Sequence, residues 1–186
     1  VNRIEDLPRI IKEAFHIAST GRLGPVHVDI SKDITAEIGD FIYPSEVNMP
    51  TYKPTINYNK KQLKRAMEAI SNAKKPLLYV GGGAVLSNCA FEIRELAKKL
   101  NIPAVETLMA RGVMGDENPL FFGMLGMHGE FAANMAAHET DLLISLGARF
   151  DDRVTGRLDE FASKAKVIHV DIDPTSIAKL VVPDYP

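Results

Sequence analysis

The sequence predicts an α/β fold in which a parallel sheet is flanked by helices on both faces. Short apolar runs of strand length alternate with longer segments whose apolar residues recur at helical spacing. Two of the apolar runs, at 76–80 and 141–146, are followed directly by glycine. Strands that alternate with helices form parallel sheets, because each helix returns the chain to the same edge. Ligands of such sheets bind beyond the carboxyl ends of the strands.

The first part of the chain predicts the end of one domain. Apolar residues recur at helical spacing over 7–18, and Gly21 ends this helix. The segment PVHVDI at 25–30 predicts a short buried strand. Three prolines follow between 44 and 54, and proline removes amide donors, so residues 41–56 are expected to form an extended linker.

Residues 57–186 predict a second domain in which helices alternate with strands. Helices are predicted at 63–70, 91–100 and 131–138, and strands at 76–80, 102–105, 141–146 and 167–171. Asp173 is expected to cap a further helix that has Pro174 at its first position. This order places the glycines and charged residues that follow the strands at one edge of the sheet.

Composition excludes several classes of protein. With 186 residues, 46% of them hydrophobic, the chain can bury a core without a disulfide or metal. A net charge of −2 provides no broad cationic surface, so nucleic acid is not an expected partner. Cys89 is the only cysteine, which excludes a disulfide framework and a cysteine-based zinc site within the chain. No apolar run approaches ~18 residues, so no membrane span is expected. The chain lacks an initiator methionine, and we expect a piece of a longer protein.

The three glycines at 81–83 follow a predicted strand and precede a helix. Glycine lets a backbone approach a phosphate closely, so this segment is either a nucleotide-binding turn or a plain tight turn. The dinucleotide-binding fingerprint is incomplete, because Leu86 stands at the position of its third glycine. Glu106 is the one acidic residue that could take the ribose position, so an ordinary NAD-binding unit is disfavoured.

The segment GMLGMHG at 123–129 combines three glycines with two methionines. A glycine-rich backbone with methionine side chains suits a planar ligand, because methionine packs well on aromatic faces. The alternative is a glycine-rich loop with buried methionines. His128 would donate to a ligand or cap a turn, and a metal role is not expected because no second histidine lies at ligand spacing.

The segment GARFDDRVT at 147–155 places two arginines and two aspartates at the end of a strand. Arg149 and Arg153 can make forked contacts to a pyrophosphate, and the aspartates can orient them or bond ligand hydroxyls. The alternative is a solvated ion-pair cluster. Asp171, at the end of the last predicted strand, can accept hydrogen bonds from ribose hydroxyls.

Together these segments resemble the catalytic subunits of the acetolactate synthase (acetohydroxyacid synthase) family, which depend on thiamine diphosphate. The resemblance covers essentially the whole chain and is carried by GRLGPVHVDISKDI (21–34), KPLLYVGGGA (75–84), FGMLGMHG (122–129), LGARFDDRVTGR (146–157) and HVDIDP (169–174). It implies that residues 1–40 are the end of a pyrimidine-binding domain. It also implies that residues 57–186 are a Rossmann-like central domain, incomplete at its C-terminus, which binds FAD.

The resemblance further implies which residues contact the FAD. They are Arg22, Gly81, Gly82, Thr107, Leu108, Leu125, Gly126, Met127, His128, Gly129, Gly147, Arg149, Asp151, Arg153, Val154, Asp171 and Ile172. The chain departs from the family pattern at two positions. Leu23 stands where proline is usual, and Glu130 stands where a small hydroxyl residue is common. Glu130 is expected to place a carboxylate beside the flavin loop.

For the parent enzyme, the resemblance implies condensation of two pyruvates, or of pyruvate with 2-oxobutyrate, with release of CO2. Thiamine diphosphate and Mg²⁺ would bind outside this chain, so no catalytic residue and no metal ligand is assigned here and the isolated chain is expected to be inactive. The implied partners are 2-oxo acids, further copies in a homo-oligomer and a regulatory small subunit, in the cytoplasm. The alternatives are a sister enzyme of the pyruvate oxidase or glyoxylate carboligase type, or a non-catalytic nucleotide-binding domain.

Overall fold

The computed structural model describes residues 1–186, which form two compact units, Val1–Asn57 and Tyr58–Pro186. The first unit is built on one helix, α1 (Leu7–Ala18), as predicted. The Arg9 guanidinium pairs with Asp6 and Glu13, both at 3.0 Å, along the exposed side of this helix. Gly21 follows α1 with a φ of +58°, a conformation that glycine adopts without strain.

The strand predicted at 25–30 is absent, and this prediction is wrong. The segment makes no ladder with another strand, and Val26 and Ile30 are each 37% exposed. A strand exists only where a second strand supplies hydrogen bonds, and the first unit contains none. The alternating apolar pattern of PVHVDI indicates side chains that suit a sheet, but it carries no information about a partner.

Residues 41–56 form neither helix nor strand, as the three prolines predict. They are nevertheless held against α1. The Lys12 ammonium donates to the Pro44 carbonyl and, at 2.9 Å, to the Ser45 carbonyl. The Tyr52 hydroxyl lies 3.0 Å from that of Thr20. The segment therefore packs as part of the first unit; the assignment of the two units to particular domains of a larger enzyme stays a prediction.

The second unit contains a five-stranded, all-parallel sheet, which confirms the predicted fold class. Its strands are β1 (Pro76–Val80), β2 (Ala104–Glu106), β3 (Phe121–Met124), β4 (Leu142–Leu146) and β5 (Lys166–Val170), and its helices are α2 (Lys60–Asn72), α3 (Gly82–Leu86), α4 (Ala90–Leu100), α5 (Phe131–Glu139) and α6 (Asp152–Thr155). The strand order is β3-β2-β1-β4-β5. None of the helices has the length and apolar character needed to cross a bilayer.

Helices cover both faces of the sheet. Since successive residues of a strand point to opposite faces, each strand can contribute side chains to a core on either side. Leu78 and Val80 of β1 pack into one apolar cluster with α2, α3 and α4. Leu77 and Tyr79 pack into a second cluster with α5 and with the segment around Phe150. The three central strands, β2, β1 and β4, are buried on both sides, which explains why they read as largely apolar runs.

Two elements differ from the sequence predictions. β3 was not predicted, because Gly123 and the glycines that follow it mask its strand pattern. The prediction of a helix after Asp173 is wrong, because residues 174–180 form only turns and bends. The Asp173 carboxylate accepts from the Thr175 amide at 2.9 Å, as a cap would, but Ala178 has a φ of +61° and a helix cannot pass through that conformation.

The order of the strands reverses between β1 and β4, and the turns that follow these two strands are in direct contact. The Gly83 amide donates to the Gly147 carbonyl at 3.0 Å. A β-carbon on Gly81 would lie 2.2 Å from the Gly147 carbonyl oxygen. Gly147 itself has a φ of +62°. These glycines are required by the packing of one turn against the other, which is the tight-turn interpretation of the motif at 81–83.

We therefore expect the substitution Gly81→Ala to destabilise the fold by about 1–3 kcal/mol, because the added methyl group forces the two turns apart. Gly24→Ala is the matched control, since a β-carbon on Gly24 meets no atom within 4 Å. Urea unfolding measures both variants. Equal stability of Gly81→Ala and the wild type would show that the two turns are not in tight contact.

Candidate functional site

Five segments follow the five strands at the carboxyl edge of the sheet, and most of the candidate residues lie on them. The segments are 81–83, 107–110, 125–129, 147–155 and 171–173. In sheets of this order the crevice beyond the strand ends, where the order reverses, is the usual ligand site. That crevice lies at the ends of β1 and β4, next to Gly81 and Gly147.

The two arginines after β4 are poorly neutralised. The Arg149 guanidinium is 59% exposed, and its one ion pair, to Asp151, is long at 3.7 Å. Arg153 is exposed and makes no ion pair within 4.0 Å. A solvated ion-pair cluster, the alternative interpretation of this segment, would have bound both cations to the neighbouring carboxylates. The geometry leaves both guanidinium groups able to bind an anion.

Asp151 has a structural role in the same segment. It precedes α6, and its Oδ1 accepts the Arg153 amide at 3.3 Å. The pKa of this carboxyl lies below its ordinary value, because it shares a hydrogen bond with the Asp152 carboxyl, accepts the Arg153 amide and lies near two arginines. Asp151 is therefore ionised at neutral pH and orients the start of α6.

The loop after β3 is tied to the segment after β4. The Met127 amide donates to the Arg153 carbonyl at 2.9 Å. Gly126 has a φ of +117°, and a β-carbon there would lie 2.9 Å from the same oxygen. The Asn134 side chain of α5 bonds both the amide and the carbonyl of Gly126. These bonds bring the candidate residues of 125–129 next to Arg153 and Val154.

The side chains of this loop divide into buried and exposed sets. Leu125 is buried, and with Val154 it lines a cavity of about 300 Å³ beside α5. Met127 is 71% exposed, which argues against the interpretation of 123–129 as a loop with buried methionines. His128 is also exposed, and Gly129 closes the loop by donating its amide to the Gly126 carbonyl at 2.9 Å. The exposed methionine is an apolar surface available to a ligand.

The segment after β2 carries a polar atom without a partner. The Thr107 Oγ1 is buried and makes no hydrogen bond, although the Thr107 amide donates to the Val80 carbonyl at 2.9 Å. Buried hydroxyl groups are normally satisfied, so an unsatisfied one at a ligand edge indicates a missing partner. Leu108, next in the chain, is 72% exposed.

The segment after β5 places Asp171 and Ile172 at the far end of the edge. The Asp171 Oδ1 accepts the Asp173 amide at 2.8 Å, and its Oδ2 lies 4.0 Å from the His169 Nε2. Ile172 is half-exposed. Asp171 thus retains acceptor capacity for a ligand hydroxyl. Arg22, the remaining predicted contact, belongs to the first unit.

Glu106 does not occupy a ribose-binding position, which corrects one reading of the sequence. It ends β2 as expected, but its side chain turns into the protein and is fully buried. Its carboxylate accepts the Met114 amide at 2.6 Å and the Gly112 amide at 3.1 Å. Glu106 therefore closes the loop after β2 from the inside and is not available to a ligand.

Glu130 lies beside the loop at 123–129, where the sequence analysis expected a carboxylate. Its Oε2 accepts the Met124 amide at 3.2 Å, and its Oε1 lies 3.8 Å from the Arg111 guanidinium. A β-carbon on Gly123 would overlap this carboxylate at 1.1 Å. The Glu130 carboxylate is thus already paired with protein groups.

Sequence reasoning missed a row of buried polar side chains that supports the segment after β4. The row consists of Tyr79, Ser145 and His169. Each is the fourth residue of its five-residue strand, in PLLYV, LLISL and KVIHV. A polar residue repeated at the same position of three apolar strands was the signal that could have found it.

Comparison with known proteins gives a consistent set of matches. The family model described as thiamine pyrophosphate enzyme, central domain, matches residues 63–186. The chain is 49% identical over 185 residues to the acetolactate synthase large subunit of Haemophilus influenzae, covering 97% of this chain and 32% of that protein. It is 50% identical over 182 residues to an acetolactate synthase of Mycobacterium leprae, with coverages of 98% and 29%.

A third relative is the acetolactate synthase isozyme 3 large subunit of Escherichia coli, which is 44% identical over 188 residues. That alignment covers 100% of this chain and 33% of the relative. The chain therefore spans about a third of the length of the curated relatives that it matches.

Glu106 yields a prediction about pH. Burial raises the pKa of its carboxyl above the ordinary value, although the Met114 and Gly112 amides act in the opposite direction. Its contribution to the free energy of unfolding is therefore complete below the unfolded-state pKa of about 4.3 and is lost as the pH rises through the higher folded-state pKa. We expect the stability of the wild type relative to Glu106→Gln to fall as the pH rises above about 4.3 and through the higher folded-state pKa.

Urea unfolding across this range measures the effect. The exposed Glu117→Gln variant is the control and should follow the wild type at every pH. A wild-type advantage over Glu106→Gln that is constant or rises with pH would contradict the prediction.

Proposed function

The chain belongs to the thiamine pyrophosphate enzyme central-domain family, and from that premise we propose that it is the FAD-binding part of an acetolactate synthase large subunit. The observation that carries the proposal is the state of the polar groups at the carboxyl edge of the sheet. Arg153 has no ion pair and the buried Thr107 hydroxyl has no hydrogen-bond partner. Groups in this state at the switch point of the sheet are the ones that a nucleotide would satisfy.

The residues present fit the parts of FAD. Its diphosphate needs cations, which Arg149 and Arg153 supply. Its ribityl and ribose hydroxyls need hydrogen-bonding groups, which Thr107 and Asp171 supply. Its flavin ring needs apolar contact, which the exposed Met127 supplies. The fit rests on these side chains more than on the glycines at 81–83, because Gly81 and Gly83 already pack against the turn after β4.

The remaining proposed contacts follow from the same arrangement. Gly81 and Gly147 form the floor of the crevice, where a larger residue would separate the two turns, and Gly82 lies next to them against Met109. The loop with Leu125, Gly126 and His128 borders it through the bond of Met127 to the Arg153 carbonyl. Leu108 and Ile172 add exposed apolar surface. Arg22 remains a proposed contact on the strength of the resemblance alone.

In the proposed reaction, two pyruvates, or pyruvate and 2-oxobutyrate, are condensed with release of CO2. Thiamine diphosphate, held through Mg²⁺, supplies the carbanion chemistry, and FAD contributes no net oxidation or reduction. We assign the groups that bind thiamine diphosphate and Mg²⁺ to the part of the relatives' length that this chain does not span. This chain's task is to bind and orient the flavin.

The partners proposed for the parent enzyme follow from the names of the relatives. Several of them are described as large subunits, which fits a regulatory small subunit as a partner. We also propose 2-oxo acid substrates, assembly as a homo-oligomer and a cytoplasmic location.

We expect the complete protein to bind FAD and Arg149→Ala to weaken that binding by about 10- to 100-fold, the loss associated with a charged hydrogen bond. Quenching of flavin fluorescence during titration measures the dissociation constant. Arg157→Ala is the matched control, because Arg157 is exposed and already paired with Asp159 at 2.7 Å and Glu160 at 2.9 Å. Absence of FAD binding, or equal loss in both variants, would contradict the proposed site.

We expect the complete protein to form acetolactate from pyruvate when thiamine diphosphate and Mg²⁺ are supplied. The 186-residue chain alone should form none, because it lacks the proposed thiamine site. A colorimetric assay of acetolactate after acid decarboxylation measures both. Turnover by the isolated chain would contradict the division of labour proposed here, and oxidation of pyruvate by the complete protein would favour a pyruvate oxidase instead.

A further inference from the structure

Three buried polar side chains form one row across the middle of the sheet. Tyr79 of β1 is in register with Ser145 of β4, and Ser145 is in register with His169 of β5. All three are at most 1% exposed, and they share the face of the sheet that packs against α5. Polar groups at such positions lower the stability of the fold unless they are hydrogen-bonded. The acceptors of their hydrogen bonds therefore indicate which part of the protein these side chains hold in place.

All three donate to two consecutive carbonyls in the segment that follows β4. Ser145 Oγ donates to the Ala148 carbonyl at 3.2 Å, and His169 Nε2 lies 3.0 Å from the same oxygen. The Tyr79 hydroxyl donates to the Arg149 carbonyl at 3.3 Å. Because a carbonyl can only accept, His169 must carry its proton on Nε2. The Ala148 oxygen thus accepts from two side chains.

An aromatic side chain holds the same segment from the other side of Arg149. Phe150 is buried, with its ring 5.8 Å from that of Tyr79 and 5.1 Å, edge to face, from that of His169. Ala148 is buried as well, whereas Arg149 between them is exposed. Fixing the backbone on both sides in this way determines the point from which the Arg149 side chain leaves the protein.

We propose that Tyr79, Ser145 and His169 are positioning residues that fix the Arg149 backbone so that its guanidinium is held ready for the diphosphate of the bound nucleotide. The inference rests on the proposed function, since it assigns to Arg149 the ligand proposed above. A flexible arginine must be ordered when it binds, and a fixed backbone reduces the part of that ordering that binding must supply. The row acts through Arg149 and does not touch the ligand.

A purely structural role makes a different prediction. If the row only stabilises the sheet, its variants lower the stability of the fold and weaken ligand binding independently of Arg149. If the row positions Arg149, its effect on binding disappears once the guanidinium is gone. A double-mutant cycle separates the two, because residues that act through one another are not additive.

The experiment uses the complete protein with FAD as the probe. The variants are Tyr79→Phe, which removes only the donor, and His169→Leu, with His169→Gln as the conservative variant that retains a donor. Each is titrated with FAD in the wild-type background and in the Arg149→Ala background. Thr140→Val is the matched control, because Thr140 is equally buried and its Oγ1 donates to the Lys75 carbonyl at 2.7 Å, at the opposite end of β4.

We expect Tyr79→Phe and His169→Leu each to weaken FAD binding by about 3- to 10-fold, the loss of one hydrogen bond. We expect His169→Gln to recover most of this loss and Thr140→Val to show none. In the Arg149→Ala background the same substitutions should leave affinity unchanged. Hydrogen exchange of the free protein should also be faster over residues 147–151 in the row variants than in Thr140→Val.

The outcomes that overturn the inference are distinct from the failure of the proposed function. Losses that persist in the Arg149→Ala background, or that Thr140→Val shares, mean that the row is only structural, while FAD binding by the wild type still stands. If the wild type binds no FAD, the proposed function and this inference are both overturned. That result is recognised from the first titration, before any variant is compared.

Discussion

The contact between the turn after β1 and the turn after β4 is the constraint on which the candidate site depends. Two backbones meet there at a distance that excludes a side chain, with the Gly83 amide bonded to the Gly147 carbonyl at 3.0 Å. The contact closes the base of the crevice where the strand order reverses. Gly147 also begins the segment that carries the two arginines, so this contact fixes where that segment starts.

Whether the site can bind an anion depends on which of its charged side chains are already paired within the protein. The Glu106 carboxylate accepts hydrogen bonds from two backbone amides. The Glu130 carboxylate accepts one from the Met124 amide and pairs with Arg111. Asp151 is ionised but serves as the cap of α6. Arg149 and Arg153 are left with little neutralisation of their charge, which is the electrostatic basis of the proposed diphosphate contact.

In the function proposed above, the chain binds and orients a cofactor, and the rest of the enzyme carries the reaction. Cofactor enzymes divide the work in this way, with the protein positioning a group that carries the chemistry. The row of Tyr79, Ser145 and His169 has a related role in the inference drawn above, where it positions Arg149, a proposed contact of the cofactor. Each of the three strands tolerates a buried polar side chain because that side chain is hydrogen-bonded to the Ala148 or Arg149 carbonyl.

The sequence by itself determined the elements whose patterns are local. Helical spacing predicted α1, α2, α4 and α5, and apolar runs predicted β1, β2, β4 and β5 within a parallel sheet. The segment GARFDDRVT identified the arginines, because paired cations after a strand are visible without a fold. These predictions succeeded because hydrophobic periodicity is a property of neighbours in the chain.

Tertiary structure decided what depends on distant partners. Residues 25–30 have the side chains of a strand but no second strand to bond, and Ala178 stops the helix that Asp173 and Pro174 predicted. Whether Glu106 faced a ligand or the interior was settled by the amides of Gly112 and Met114, six and eight residues further on. The strand order alone brought Tyr79, Ser145 and His169 into one row. Sequence records which groups can form hydrogen bonds, and only the fold determines which of them already have partners.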